Sequence, residues 1–212
     1  MKDKKLLSDI KEYLKCYEDQ VLEDWYELIR HISVSETGEG IETCCDWIQK
    51  KMEEIGIQVT KYSVKPAPVL VGRFGNDPEK KTVLIYAHYD VKPAGERKLW
   101  HSDPFVPTVR DGKVYARGSA DNKSPLMAHL KALEYFIRRK MEVPVNVIFV
   151  FEGDEECGSR GLEEFLAEHR TELAADLVFF SDGPKDPSGL PIIALGAKGC
   201  LLYTSPSPRD RG

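Results

Sequence analysis

Three short stretches combine the residue types that hold cations or move protons. His88-Tyr89-Asp90 follows the apolar run TVLIYA, Glu152-Gly153-Asp154-Glu155-Glu156 follows VNVIFVF, and Asp182-Gly183 follows DLVFFS. A fourth acid, Asp121, sits in the Gly/Ser-rich stretch GSADNKS. Singly, each pattern is ordinary, because an H-x-D, a run of acids or an Asp-Gly pair usually marks a solvated turn. Brought together, their carboxylates would repel unless cations neutralised them.

The spacings suit metal chemistry. In extended chain residues i and i+2 point to the same side. Asp90 can therefore reach the His88 imidazole, set its tautomer and raise its basicity as a ligand. Adjacent residues point apart, so Glu155 and Glu156 should differ in role: one can bind metal while the other faces the water to be activated. A carboxylate lying between two metals, such as Asp121, can bridge them with its two oxygens. Two ions about 3.5–4 Å apart would share a hydroxide, lower its pKa and polarise a carbonyl. A carboxylate-rich set with one imidazole suits Zn²⁺, with Mn²⁺ or Co²⁺ as alternatives. Asp154 has no assigned role, Cys157 is expected to pack near the site, and His101 and His129 read as loop and helix-surface residues.

The elements that must position these residues alternate. TVLIYA (82–87), VNVIFVF (145–151) and DLVFFS (176–181) read as buried strands. Residues 124–140 read as an amphipathic helix with Leu126, Leu130, Leu133 and Ile137 on one face, and 159–170 as a short helix. Upstream, 5–31 and the stretch from Ile41 to the stop signal Gly56 read as helices. IQVTKYSV and VLVGRFG read as strands around Pro66-Ala67-Pro68. The fold class expected is α/β, a three-layer α/β/α sandwich with a mostly parallel sheet. Ligands in such sheets bind outside the carboxyl ends of the strands. If the three strands are neighbours, their acidic and histidine endings meet in one crevice.

Bulk properties narrow the function. A net charge of -5 with interspersed signs lacks the basic footprint of a nucleic-acid binder. No apolar run approaches the ~18 residues of a membrane span. The charged start MKDKKLLSDIKEYLK has no apolar signal core. Five cysteines at no framework spacing fit reduced thiols, and the expected compartment is the cytoplasm. Serine and single-zinc helix-borne hydrolases are disfavoured, since G-x-S-x-G and H-E-x-x-H are absent.

TVLIYAHYDVKPAGE, LWHSDPFVPTVRDGKVYARGSADNKSP, FVFEGDEECGSRG and FFSDG, in this order, resemble the dinuclear zinc peptidases typified by carnosinase, glutamate carboxypeptidase and aminoacylase. The HYDVKP and DPF phrases resemble most the cytosolic non-specific dipeptidase and carnosinase branch. The resemblance runs from about residue 18 to about residue 200. It implies that His88 and Asp182 bind one metal and that Asp90 orients His88. Asp121 would bridge both metals, Glu156 would bind the second, and Glu155 would be the general base. It also implies a cis Asp121-Asn122 peptide. Ser124-Pro125, Cys157 and Ala87 depart from residues common in the family without removing a ligand.

The resemblance implies a metal-dependent hydrolase of dipeptides or short peptides, homodimeric at full length, with no nucleic-acid or membrane partner. An N-acyl amino acid hydrolase or an inactive truncated fragment are the alternatives. The family is nearly twice this long. Residues 1–199 therefore correspond to the N-terminal part of its catalytic domain. Residues 200–212 are expected to be an aberrant or disordered tail where a lid domain, with a transition-state histidine and a late metal-binding histidine, would begin.

Overall fold

The computed structural model describes residues 2–183, 188 and 192. The expected tail, 200–212, lies outside the described residues. Residues 1–182 form one compact unit; of the second unit, 183–212, only three residues are described.

The unit opens with α1 (Lys2–Arg30) and α2 (Ile41–Glu54), followed by β1 (Gln58–Tyr62), β2 (Val69–Phe74) and β3 (Thr82–His88). The short strands β4 (Thr108–Arg110) and β5 (Lys113–Tyr115) precede α3 (Lys123–Arg138) and β6 (Asn146–Glu152). The chain then forms α4 (Leu162–Glu168) and β7 (Leu177–Phe180). The main sheet has the order β1-β2-β6-β3-β7. β3 pairs parallel with both β6 and β7, and among the described strands of this sheet β2 alone runs against the others. The mostly parallel α/β expectation therefore holds. β4 and β5 add a separate hairpin, turned at Asp111-Gly112 with positive φ at both residues, that the strand–helix alternation does not anticipate.

Period-two alternation explains the layers. From β6, Phe149 and Phe151 point into a core with Leu28 of α1, Cys44, Ile48 and Met52 of α2, and Leu126 and Leu130 of α3. Ile148 and Val150 point to the opposite face, against Phe165 of α4 and Leu173. Each such side chain contributes about 1.5–3 kcal/mol of burial. The apolar stripe of α2 is buried at Ile41, Cys44, Cys45, Ile48 and Met52. Pro125 falls in the first turn of α3, where a missing N–H removes no helical hydrogen bond.

One strand departs from expectation. β7 is not buried: Leu177, Val178, Phe179 and Phe180 are 47–61% exposed. β7 is the end strand of the sheet, so one of its backbone edges has no partner strand among the described residues. β3, beside it, is only partly buried, whereas the central β6 is buried at every position.

Candidate metal centre

The order β6-β3-β7 places the carboxyl ends of three parallel, adjacent strands along one rim, and in β3 and β6 the final residues His88 and Glu152 are in register. The Tyr89 N–H continues the ladder by donating to the Glu152 carbonyl at 2.8 Å. Gly153 is required here, because a Cβ would lie 2.5 Å from the Tyr89 ring.

His88 is fully buried and stands at the centre. Its Nδ1 lies 3.2 Å from Asp90 Oδ1. Its Nε2 faces three carboxylates, with Asp121 Oδ1 at 3.0 Å, Asp182 Oδ2 at 3.4 Å and Glu155 Oε2 at 3.7 Å. None is aligned for a hydrogen bond, so Nε2 is a buried polar atom without a hydrogen-bond partner. His88, Asp121 and Asp182 each offer one ligand atom, and these atoms lie within 4.8 Å of one another. An orphaned imidazole nitrogen ringed by acids fits a divalent cation.

Asp90 does more than face the imidazole. It is fully buried, its Oδ1 accepts the Glu155 N–H at 3.2 Å, and its Oδ2 accepts the Glu156 N–H at 3.0 Å. One carboxylate thus fixes the histidine and the backbone of both glutamates. Glu155 turns toward His88, whereas the Glu156 carboxylate lies 3.3 Å from Lys92 Nζ, which also donates to the Glu156 carbonyl. The two glutamates therefore point to different partners, and Glu156 is outside the His88–Asp121–Asp182 group. The Asp121-Asn122 peptide is cis, and the Asn122 side-chain oxygen accepts the His88 N–H at 3.4 Å.

Electrostatics follow from this crowding. Burial disfavours a charged His88 ring, but the hydrogen bond and charge of Asp90, with Glu155 and Asp121, raise its pKa to about 9. Burial raises the Glu155 carboxyl; His88 opposes the rise, and Glu156, Asp182 and Asp90 add to it. A carboxyl moved upward in this way is suited to accepting a proton.

Asp154 now has a role. Buried, it accepts from the Arg160 N–H and Nε at 3.0 and 2.9 Å and from Nη2 at 2.7 Å, closing the loop after the glutamates. Glu152, also buried, accepts from Tyr86 Oη at 2.6 Å and Ser159 Oγ at 2.7 Å. Arg160, six residues after Asp154, was the available signal. Cys157 is half-buried, with Sγ 3.5 Å from Ser35 Oγ, consistent with packing near the site. His101 is exposed as expected. His129 is not simply on the surface: it is half-buried, 5.5 Å edge-on from Phe179.

The sequence profile described as "Peptidase family M20/M25/M40" matches residues 84–196, more than half of the chain and all the residues of the centre. The chain belongs to this family. The M20 match is supported by Cys-Gly metallodipeptidase dug1 of Schizosaccharomyces pombe, 41% identical over 159 residues, covering 72% of this chain and 33% of the relative. Human carnosine dipeptidase 1 superposes with a TM-score of 0.79 at 30% identity, covering 84% of this chain and 41% of that one. The M20 metallo-carboxypeptidase Sso-CP2 of Sulfolobus solfataricus superposes with a TM-score of 0.76 at 36% identity, covering 80% and 38%. The chain spans about a third of the length of the curated relatives it matches first. Among the described residues no helix is long and apolar enough to cross a membrane.

Proposed function

We propose that this chain carries the metal centre of a dipeptidase that uses two divalent ions, with Zn²⁺ the first choice and Mn²⁺ or Co²⁺ alternatives. The observation that carries the reading is the orphaned Nε2 of His88 among Asp121, Asp182 and Glu155. On this reading residues 1–199 are the N-terminal part of a catalytic domain. His88 and Asp182 would hold one ion, Asp121 would be shared by both, and Glu156, released from Lys92, would hold the other. Bound divalent ions acidify water and polarise a peptide carbonyl. Glu155 would accept the proton of water activated there and return it to the leaving amine. Asp90 keeps the His88 ring in its ligand orientation and holds the Glu155 backbone. The dipeptide preference rests on the names of two relatives, a Cys-Gly metallodipeptidase and a carnosine dipeptidase.

The test combines metal content with turnover. The Zn²⁺-, Mn²⁺- and Co²⁺-loaded protein is assayed on Cys-Gly and β-alanyl-histidine. Glu155→Gln should keep its metal and lose about 10²–10⁴-fold in kcat. Unchanged kcat in that variant removes Glu155 as the base. A protein that takes up no divalent ion overturns the reading as a whole.

A further inference from the structure

Lys123 is the most thoroughly buried lysine among the described residues, at 1% exposure. Among the described residues no carboxylate lies within ion-pair distance of its Nζ. Its Nζ donates to two backbone carbonyls, those of Leu28 at 3.1 Å and His31 at 2.5 Å. α1 ends at Arg30, so this ammonium satisfies carbonyls that the last helical turn leaves open, at the negative end of the helix dipole. The segment that follows α1 then touches the other site loops. Ser33, fully buried, donates from Oγ to the Tyr89 carbonyl at 2.7 Å, and its own carbonyl accepts the Val91 N–H at 2.8 Å. Val34 bridges Val91, and Ser35 Oγ meets Cys157 Sγ. Residues 28–35 therefore contact the loop of His88 and Asp90, the loop of Asp121, and the turn of Glu155 and Glu156. They lie outside residues 84–196.

We propose that residues 28–35 are a brace that sets the spacing of the metal-binding loops, with Lys123 and Ser33 as its positioning residues. The alternative is that this packing only stabilises the fold. A purely stabilising contact would not change how the folded chain binds metal. The brace fixes where Asp121 lies relative to His88, because Lys123 is two residues from Asp121 and Ser33 is bonded on both sides of Asp90. Supporting groups around a metal centre are typically worth about 10–100-fold in affinity.

This inference rests on the metal-centre reading, and one experiment separates the two. The 212-residue chain is titrated with Co²⁺ against a chelator, and the visible absorption of the bound ion is recorded. Lys123→Met and Ser33→Ala are compared with Leu173→Ala, a buried position packed against the opposite face of the sheet. Far-UV circular dichroism checks that each variant is folded. We expect Co²⁺ affinity to fall about 10–100-fold in Lys123→Met and about 3–10-fold in Ser33→Ala, with an altered spectrum, and to be unchanged in Leu173→Ala. If Lys123→Met does not fold, Ser33→Ala decides alone. Wild-type affinity and spectrum in the folded brace variants overturn the brace. Equal losses in all three variants also overturn it, by showing a general effect of destabilisation. Failure of the unmodified chain to bind Co²⁺ overturns the metal centre itself.

Discussion

β6 and β7 have nearly the same kind of sequence, an aromatic and β-branched run closed by an acid, yet they do different work. β6 is buried at every residue, flanked by strands on both sides and packed by helices on both faces. The acids that follow it are held in place: Glu152 by Tyr86 and Ser159, Asp154 by Arg160, and the backbone of Glu155 and Glu156 by Asp90. β7 is an end strand with four large side chains exposed, and it delivers Asp182 to the same histidine. The candidate metal centre thus spans a firmly packed middle and a lightly packed margin. Hydrophobicity makes a strand, but position in the sheet decides how firmly that strand can hold a ligand.

The widest gap between the two strands should appear on truncating their aromatics. Phe149→Ala or Phe151→Ala should cost about 3–5 kcal/mol, the range for large core truncations. Phe180→Ala in β7 should stay within about 1 kcal/mol, and reduced aggregation is its expected benefit. Denaturant melts of the three variants check this. Equal losses would show that β7 is covered in solution. A smaller effect concerns the loop after β6. Asp154→Ala leaves the fold intact but strips the Arg160 fork and the loop N–H of their acceptor. It should cost about 1–3 kcal/mol. Hydrogen exchange of the amides from Glu155 to Gly161 should rise locally; a change spread over the whole sheet would contradict a loop-closing role.

The same contrast explains what was legible in the sequence. The alternation of apolar runs and amphipathic stripes reveals the three-layer sheet, because period and length are local properties. The endings His88, Asp90, Glu155 and Asp182 are legible as a group, because a parallel sheet must carry its strand ends to one rim, whereas Asp121, in the loop before α3, joins them only through the family resemblance. The exposure of β7 is not legible. An apolar run has the same composition at the centre of a sheet and at its edge, and only the pairing order separates them. Ser33 and Lys123 are hidden for a related reason. Their partners are backbone carbonyls, which every residue has, so no residue type signals the contact. The pairing of Glu156 with Lys92 depends on a side-chain direction that spacing leaves open. Asp154 and Arg160 were closer to reach, since an acid and a base six residues apart across a glycine turn can close on each other.

The smallest effect lies beside α4, on the face of the sheet that Phe165 and Leu173 cover. Glu172 accepts from Tyr62 Oη at 2.9 Å and from Arg73 Nη2 at 3.0 Å, and its second oxygen lies 2.9 Å from His169 Nδ1. Those hydrogen bonds, led by that of His169, hold its carboxyl down at about 2. The folded value lies below the unfolded one, near 4.3 for a free glutamate. The stabilisation is therefore present above pH ~4.3 and fades as pH falls toward 2. Glu172→Gln should therefore lower stability above pH ~4.3, pH 7 included, and converge with the wild type as pH falls toward 2, flattening the acid limb of the stability–pH curve. Solvent exposure keeps the effect small. Urea midpoints measured from pH 7 to 2 test it. An equal loss at every pH from 7 to 2 would mean that Glu172 acts through packing of the segment joining α4 to β7, not through its charge.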